Sequence, residues 1–118
     1  MIAGHVSDDG VPIIKLIVAG REWQAVVDTG FNGDLELPNE LQGKLNDQAV
    51  GRVRSTLAGG QVIEEEAYLV EFPFDGQSIQ ATATFVADSQ LLIGTNLLRQ
   101  YELQIRFARR ILRLERES

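Results

Sequence analysis

The stretch AVVDTG, residues 25–30, decides how the rest of this chain is read. Ala25, Val26 and Val27 run straight into an acid, Asp28, and then into a hydroxyl and a glycine, Thr29 and Gly30. Three apolar residues carry the backbone toward an interior, where a carboxylate costs several kcal/mol unless it is paired or hydrogen-bonded. Thr29 offers a hydroxyl that both donates and accepts, and Gly30 lets other backbone come close. An acid so placed reads as one held for chemistry. The plainer alternative is an acid that caps a turn in a small β protein.

Outward from this stretch the pattern is one of short β runs punctuated by Gly, Asp and Asn. Residues 11–20 alternate in part and meet 23–28 as a hairpin, with its turn at Gly20-Arg21-Glu22. A short strand at 31–38 stops at Pro38, and 38–47 is a possible short helix that Gly43 curtails. Strands at 50–58 and 61–72 flank Gly59-Gly60, whose positive φ angles would make a tight primed turn. Residues 78–87 alternate, LLIG at 91–94 is too apolar for a surface, 95–102 is a plausible short helix, and LQIRF and ILRLE form a last hairpin. The expectation is one domain, residues 1–118, all-β: a small closed or half-closed barrel with one or two short helices.

Composition limits the chemistry. The chain has 118 residues, 44% of them hydrophobic and 24% charged, as in a soluble globular protein. It has no cysteine, so no disulfide, thiolate nucleophile or zinc-thiolate site, which fits a reducing, cytoplasmic setting. A net charge of −6 disfavours nucleic acid as a partner. The start has neither a basic segment nor a long apolar run, and no 18-residue apolar run occurs, so neither a leader nor a membrane span is expected. The sole histidine, His5, stands near a start that reads as mobile and exposed, which disfavours Ser-His-Asp and Cys-His arrangements and any multi-histidine metal site. The chemistry left is that of carboxylates, with no metal and no cofactor. Glu64-Glu65-Glu66 lie in an expected strand, Glu65 opposite to its neighbours, and read as a solvated face.

One carboxylate alone is a weak catalyst. Two at about 3 Å cannot both ionise and share a proton, so one draws a proton from water while the other protonates the carbonyl under attack. Only Asp28 has the required setting, so its partner must be its own copy in a second chain on a two-fold axis.

VVDTG, a Gly-Gly hairpin about 30 residues later, and LLIGTNLLRQYEL near the end together resemble the retropepsin-like aspartic proteases, the single-domain, homodimeric relatives of pepsin. The resemblance covers roughly residues 13 to 114. It implies a pepsin/retropepsin-like closed β barrel and a homodimer acting on peptide or protein substrates. Asp28 would be the catalytic residue, Thr29 would hydrogen-bond across the axis, and Gly30 would let the loop pass close to substrate. Ala58, Gly59 and Gly60 would be the tip of a flap that closes over a peptide. Leu92, Ile93 and Gly94 would be the apolar strand behind the loop, leading into a helix at Asn96-Leu97-Leu98. Water would attack the peptide bond with no covalent intermediate. Phe31-Asn32-Gly33 stand where retroviral members carry a small residue and acids, and Thr95 where they carry an arginine pairing with one of them. Loss of both partners is self-consistent and is similar to the bacterial members.

Two other readings compete with a protease. The same fold can serve as a peptide-binding or scaffold module with little or no turnover, holding extended segments by strand addition. DTGFNGD also matches several positions of a calcium loop through Asp28, Asn32, Gly33 and Asp34, but Asn39 stands where such a loop ends in glutamate.

Overall fold

The computed structural model describes residues 1–56 and 58–117. They form ten strands: β1 Ile2–Val6, β2 Pro12–Val18, β3 Arg21–Val27, β4 Leu35–Pro38, β5 Gln48–Thr56, β6 Val62–Phe74, β7 Gln77–Val86, β8 Leu91–Ile93, β9 Tyr101–Arg106 and β10 Ile111–Arg116. All belong to one sheet in the order β5-β6-β7-β4-β8-β3-β2-β1-β10-β9. The all-β expectation holds. The order is linear, with β5 and β9 at its ends, and among the described residues no pairing joins them to close a barrel.

Alternation explains how the centre of the sheet is built. In β3, Trp23, Ala25 and Val27 are buried, while Gln24 is exposed and Val26 half-buried. Parallel pairing with β8 and antiparallel pairing of β8 with β4 align Val27, Ile93 and Leu35 in one row across three strands. All three are at most 2% exposed, and each buried side chain of this size stabilises the fold by roughly 1.5–3 kcal/mol. The adjacent row on the opposite face is Val26, Leu92 and Glu36, each half-buried. β4 also pairs in parallel with β7, which extends this second row to Thr84. Strand parity therefore separates a dry face from a half-open one, and Asp28, two residues past Val26, shares the latter.

Several expectations are corrected. The start is a strand, β1, paired with both β2 and β10. His5 is half-buried there, opposite Ile13 and Ile111. Gly4 is what permits that packing: a Cβ there would lie 2.3 Å from the Ile13 carbonyl oxygen. The β2–β3 turn is Ala19-Gly20, with φ of 52° and 79°, so Arg21 and Glu22 already belong to β3. The β5–β6 connection is longer than a two-residue turn, and of its two glycines only Gly60 has positive φ. Of the expected helix at 38–47 only a single 3-10 turn forms, Asn39–Leu41. Residues 95–100 form successive turns and no helix: Leu98 N–H bonds to the Thr95 carbonyl and Tyr101 N–H to the Leu98 carbonyl. Six residues is too short a run to sustain a helix on its own, and β9 claims Tyr101 and Glu102 for pairing with Arg116 and Glu115. A second 3-10 turn, Phe107–Arg109, joins β9 to β10. Among the described residues no helix is long and apolar enough to cross a membrane.

Candidate active site

The β3–β8 pairing continues one step past the strand, since Asp28 N–H donates to the Ile93 carbonyl at 2.9 Å. Asp28 is thereby carried to the end of a buried strand yet stands half-buried itself, so its desolvation is partial. Its Oδ1 accepts the Gly30 N–H at 2.9 Å, and its carbonyl accepts the Phe31 N–H at 3.1 Å. An aspartate that caps its own turn in this way stiffens the loop. The capping group is the Gly30 amide, whereas the Thr29 hydroxyl is exposed and has no partner among the described residues. A Cβ on Gly30 would meet Asp28 Oδ1 at 3.2 Å, tight against the carboxylate.

The segment after β8 holds the loop from behind. Thr95 N–H bonds to the Phe31 carbonyl at 2.8 Å, Gly94 N–H to the Asp34 carbonyl at 3.0 Å and Asn96 N–H to the Gly33 carbonyl at 3.1 Å. Gly94 is buried, and a Cβ there would lie 2.2 Å from the Gly33 carbonyl oxygen and 2.7 Å from that of Phe31. The residue must be glycine for the two segments to touch. Asp34 adds a side-chain clamp: Oδ1 accepts the Asn96 amide at 2.6 Å and Oδ2 the Thr82 N–H at 2.9 Å. Both oxygens are thus engaged by N–H donors, which counts against Asp34 as a calcium ligand. Among the described residues no three His, Cys, Asp or Glu side chains gather to hold a metal.

A cavity of about 600 Å³ opens beside the loop. Gly30 to Glu36 form one wall, Thr82 to Thr84 of β7 another, and Val53, Arg54, Thr56 and Glu65 of the β5–β6 hairpin a third. The hairpin stem, not its exposed tip at Ala58, Gly59 and Gly60, bounds this space among the described residues. Leu57 of the connection lies outside the described residues. Glu36 faces this cavity from the sheet. Burial, and then the negative charges of Glu65, Asp88 and Asp28, push its carboxyl above the usual glutamate range.

The structure thus brings together Asp28, Thr29, Gly30, Leu92, Ile93 and Gly94. Sequence reasoning passed over Glu36, the Asp34–Asn96 clamp and the inward role of Glu65. The signal for Glu65 was its parity against Glu64 and Glu66. Glu36 and Asn96 depend on register between distant strands, which leaves no local trace.

No family model matches the sequence, and no curated protein matches it. Solved structures do. A retropepsin-like aspartic protease from Rickettsia conorii superposes with a TM-score of 0.62 at 21% identity, over 96% of this chain and 88% of that one. The foamy viral protease-reverse transcriptase, in complex with an RNA/DNA hybrid, matches with a TM-score of 0.59 at 15% identity over 90% of this chain. The chain has the retropepsin-like fold. It spans only 13% of the length of that viral polypeptide but nearly all of the rickettsial one. In this retropepsin-like chain the D-T-G loop follows β3 and is backed by β8.

Proposed function

We propose that this chain is an aspartic endopeptidase that works as a homodimer. Residues 1–118 would form the single retropepsin-like domain of each subunit, and Asp28 would meet its own copy across a two-fold axis. The observation that carries this reading is the bracing of Asp28. A half-buried carboxylate is fixed by Gly30 N–H on one side and, through its backbone, by β8 on the other, in a loop whose next residues, from Gly30 on, line a cavity of about 600 Å³.

In this reading one Asp28 of the pair is ionised and takes a proton from water, and the other is protonated and donates to the peptide carbonyl oxygen. The tetrahedral intermediate then breaks down with proton transfer to the leaving amine. Thr29, exposed and without a partner in its own chain among the described residues, would bond across the axis. Gly30 would pass close to substrate, and Ala58, Gly59 and Gly60 would close over it. Leu92, Ile93 and Gly94 would keep the loop from yielding. The protein needs no metal or cofactor for these steps.

The test is Asp28→Asn. The asparagine keeps the size of the side chain but supplies neither base nor acid. Cleavage of a peptide library is expected to fall by at least about three orders of magnitude while the fold and dimer persist. A variant that cleaves as fast as the native chain would remove Asp28 from the mechanism. Peptide binding without cleavage by the native protein would favour the scaffold reading instead.

A further inference from the structure

We propose that the cleft beside Asp28 takes a lysine or arginine side chain of the substrate, with Glu36 on its floor and Glu65 on its hairpin wall as specificity-determining residues. The inference rests on the protease reading and adds the substrate class.

The row Val26–Leu92–Glu36 crosses β3, β8 and β4 on the face that also carries Asp28. Two strand spacings separate Val26 from Glu36, roughly 10 Å. An extended peptide over Asp28 places a side chain near Glu36 within one or two residues of the bond under attack.

The hairpin distributes its charges unequally between its faces. Glu64 and Glu66 stand in register with Arg54 and Arg52, and each forms an ion pair on that exposed side. Glu65 points the other way, opposite Val53, and lines the cavity half-buried. Arg54 borders the cavity too, but its guanidinium is drawn to Glu64 at 3.3 Å. Among the described residues neither Glu36 nor Glu65 has a cation within ion-pair distance. The third acid of the cavity, Asp34, is already engaged by Thr82 and Asn96.

Two unpaired carboxylates on different walls of one cavity that Val53 and Ala83 also line suit an apolar stem that ends in a cation. An apolar side chain would leave both acids without a partner, and an acidic one would add a like charge. Burial first, and then the negative charges of Glu65, Asp88 and Asp28, raise the Glu36 carboxyl, and an incoming cation would offset the charge part of that cost. A metal ion is the weaker occupant, since no third free ligand is gathered among the described residues.

The experiment compares peptides that differ only in lysine against norleucine, placed in turn at each position within two residues of the cleaved bond. At one position the native protein is expected to show a kcat/KM ratio of about tenfold or more in favour of lysine. In Glu36→Gln, and further in Glu36→Gln/Glu65→Gln, that ratio is expected to approach one. Because each ratio is taken within one protein, a loss of folded fraction cancels. Binding of the same peptides to Asp28→Asn gives a second readout that needs no turnover. Cleavage by the native protein with no lysine preference, or a preference that survives in the double variant, overturns the inference and leaves the protease reading standing. No cleavage at any acidity, with tighter lysine-peptide binding to Asp28→Asn, overturns the protease reading and keeps the acidic cleft. Equal binding and no cleavage overturn both.

Discussion

The Asp34 carboxylate accepts the side-chain amide of Asn96 at 2.6 Å, joining residues 62 apart in the chain. Its other oxygen takes the Thr82 N–H at 2.9 Å, so one acid ties the end of the D-T-G loop to both the segment after β8 and β7. A hydrogen bond to a charged group contributes about 1.5–3 kcal/mol. Asp34→Ala removes two, both partly solvated, and leaves Thr82 N–H without its acceptor. The expected loss is about 2 kcal/mol, seen as a fall in Tm of roughly 10 °C. Asn96→Ala breaks one of the two and is expected to cost about half as much. A Tm for Asp34→Ala within a degree or so of the native value would show that the clamp contributes nothing.

Gly94 is a second point of support, and its role is steric. Of the three nearest atoms to an added Cβ, the closest and one other are the backbone carbonyl oxygens of Gly33 and Phe31, which cannot rotate away as the Phe31 ring could. Gly94→Ala therefore forces the loop carrying Phe31 and Gly33 off β8, at about 1–3 kcal/mol. Because that loop holds Asp28, catalysis is expected to fall more steeply than stability. Peptidase assays at a temperature well below the variant's Tm separate the two effects. Native activity in a folded Gly94→Ala protein would show that the loop does not need this backing.

Glu36 supplies a dependence on pH whose sign follows from its surroundings. Its carboxyl is raised above the ordinary value of 4.5 by burial, then by Glu65, Asp88 and Asp28. The folded chain thus holds this proton more tightly than the unfolded chain. The stabilisation is fully present below about pH 4.5 and is lost as pH rises through the higher folded value. Glu36→Gln cannot ionise and escapes that loss. The Tm of the variant minus that of the native protein is expected to grow from pH 4 to pH 7. Carboxylates remote from Glu36 cancel in the difference, whereas loss of the Glu36 charge also relieves its repulsion with Glu65, Asp88 and Asp28 toward high pH and adds to the same trend. A difference that is flat or shrinks over this range would contradict the assignment.

What the sequence revealed and what it hid follow from the range of the interactions. The D-T-G loop and its apolar backing were legible because each is a contiguous run: AVVDTG ends one strand and LLIG is another. The β6–β7 hairpin is equally local, turning at Asp75-Gly76 with φ values of 52° and 77°. β1 was missed because IAGHV has little alternation, and its pairing with β10 joins the two ends of the chain. Glu36 was missed because a single acid in LELP carries no sign of the face it occupies until Leu92 is set opposite it. The helix expected after Gly94 failed because its neighbours in sequence had stronger partners elsewhere. Asn96 bonds to Asp34 and Gly33, and Tyr101 enters β9.

A dyad built from two copies of one residue makes a quantitative demand on mixtures. If catalysis needs Asp28 from both subunits, a dimer of one native and one Asp28→Asn chain has a single carboxylate and is inactive. With random exchange, an equal mixture leaves about half of the native chains paired with another native chain, and a ninefold excess of the variant leaves roughly one tenth. Activity per native chain is expected to fall by the same fractions once exchange is complete. Dilution without the variant should also lower specific activity as dimers dissociate. Cleavage assays across a mixing series, with exchange checked by mass spectrometry of the intact dimers, read this directly. Activity that stays proportional to the native chain alone, despite proven mixed dimers, would mean that each subunit cleaves by itself, and the second carboxylate would then have to be sought within one chain.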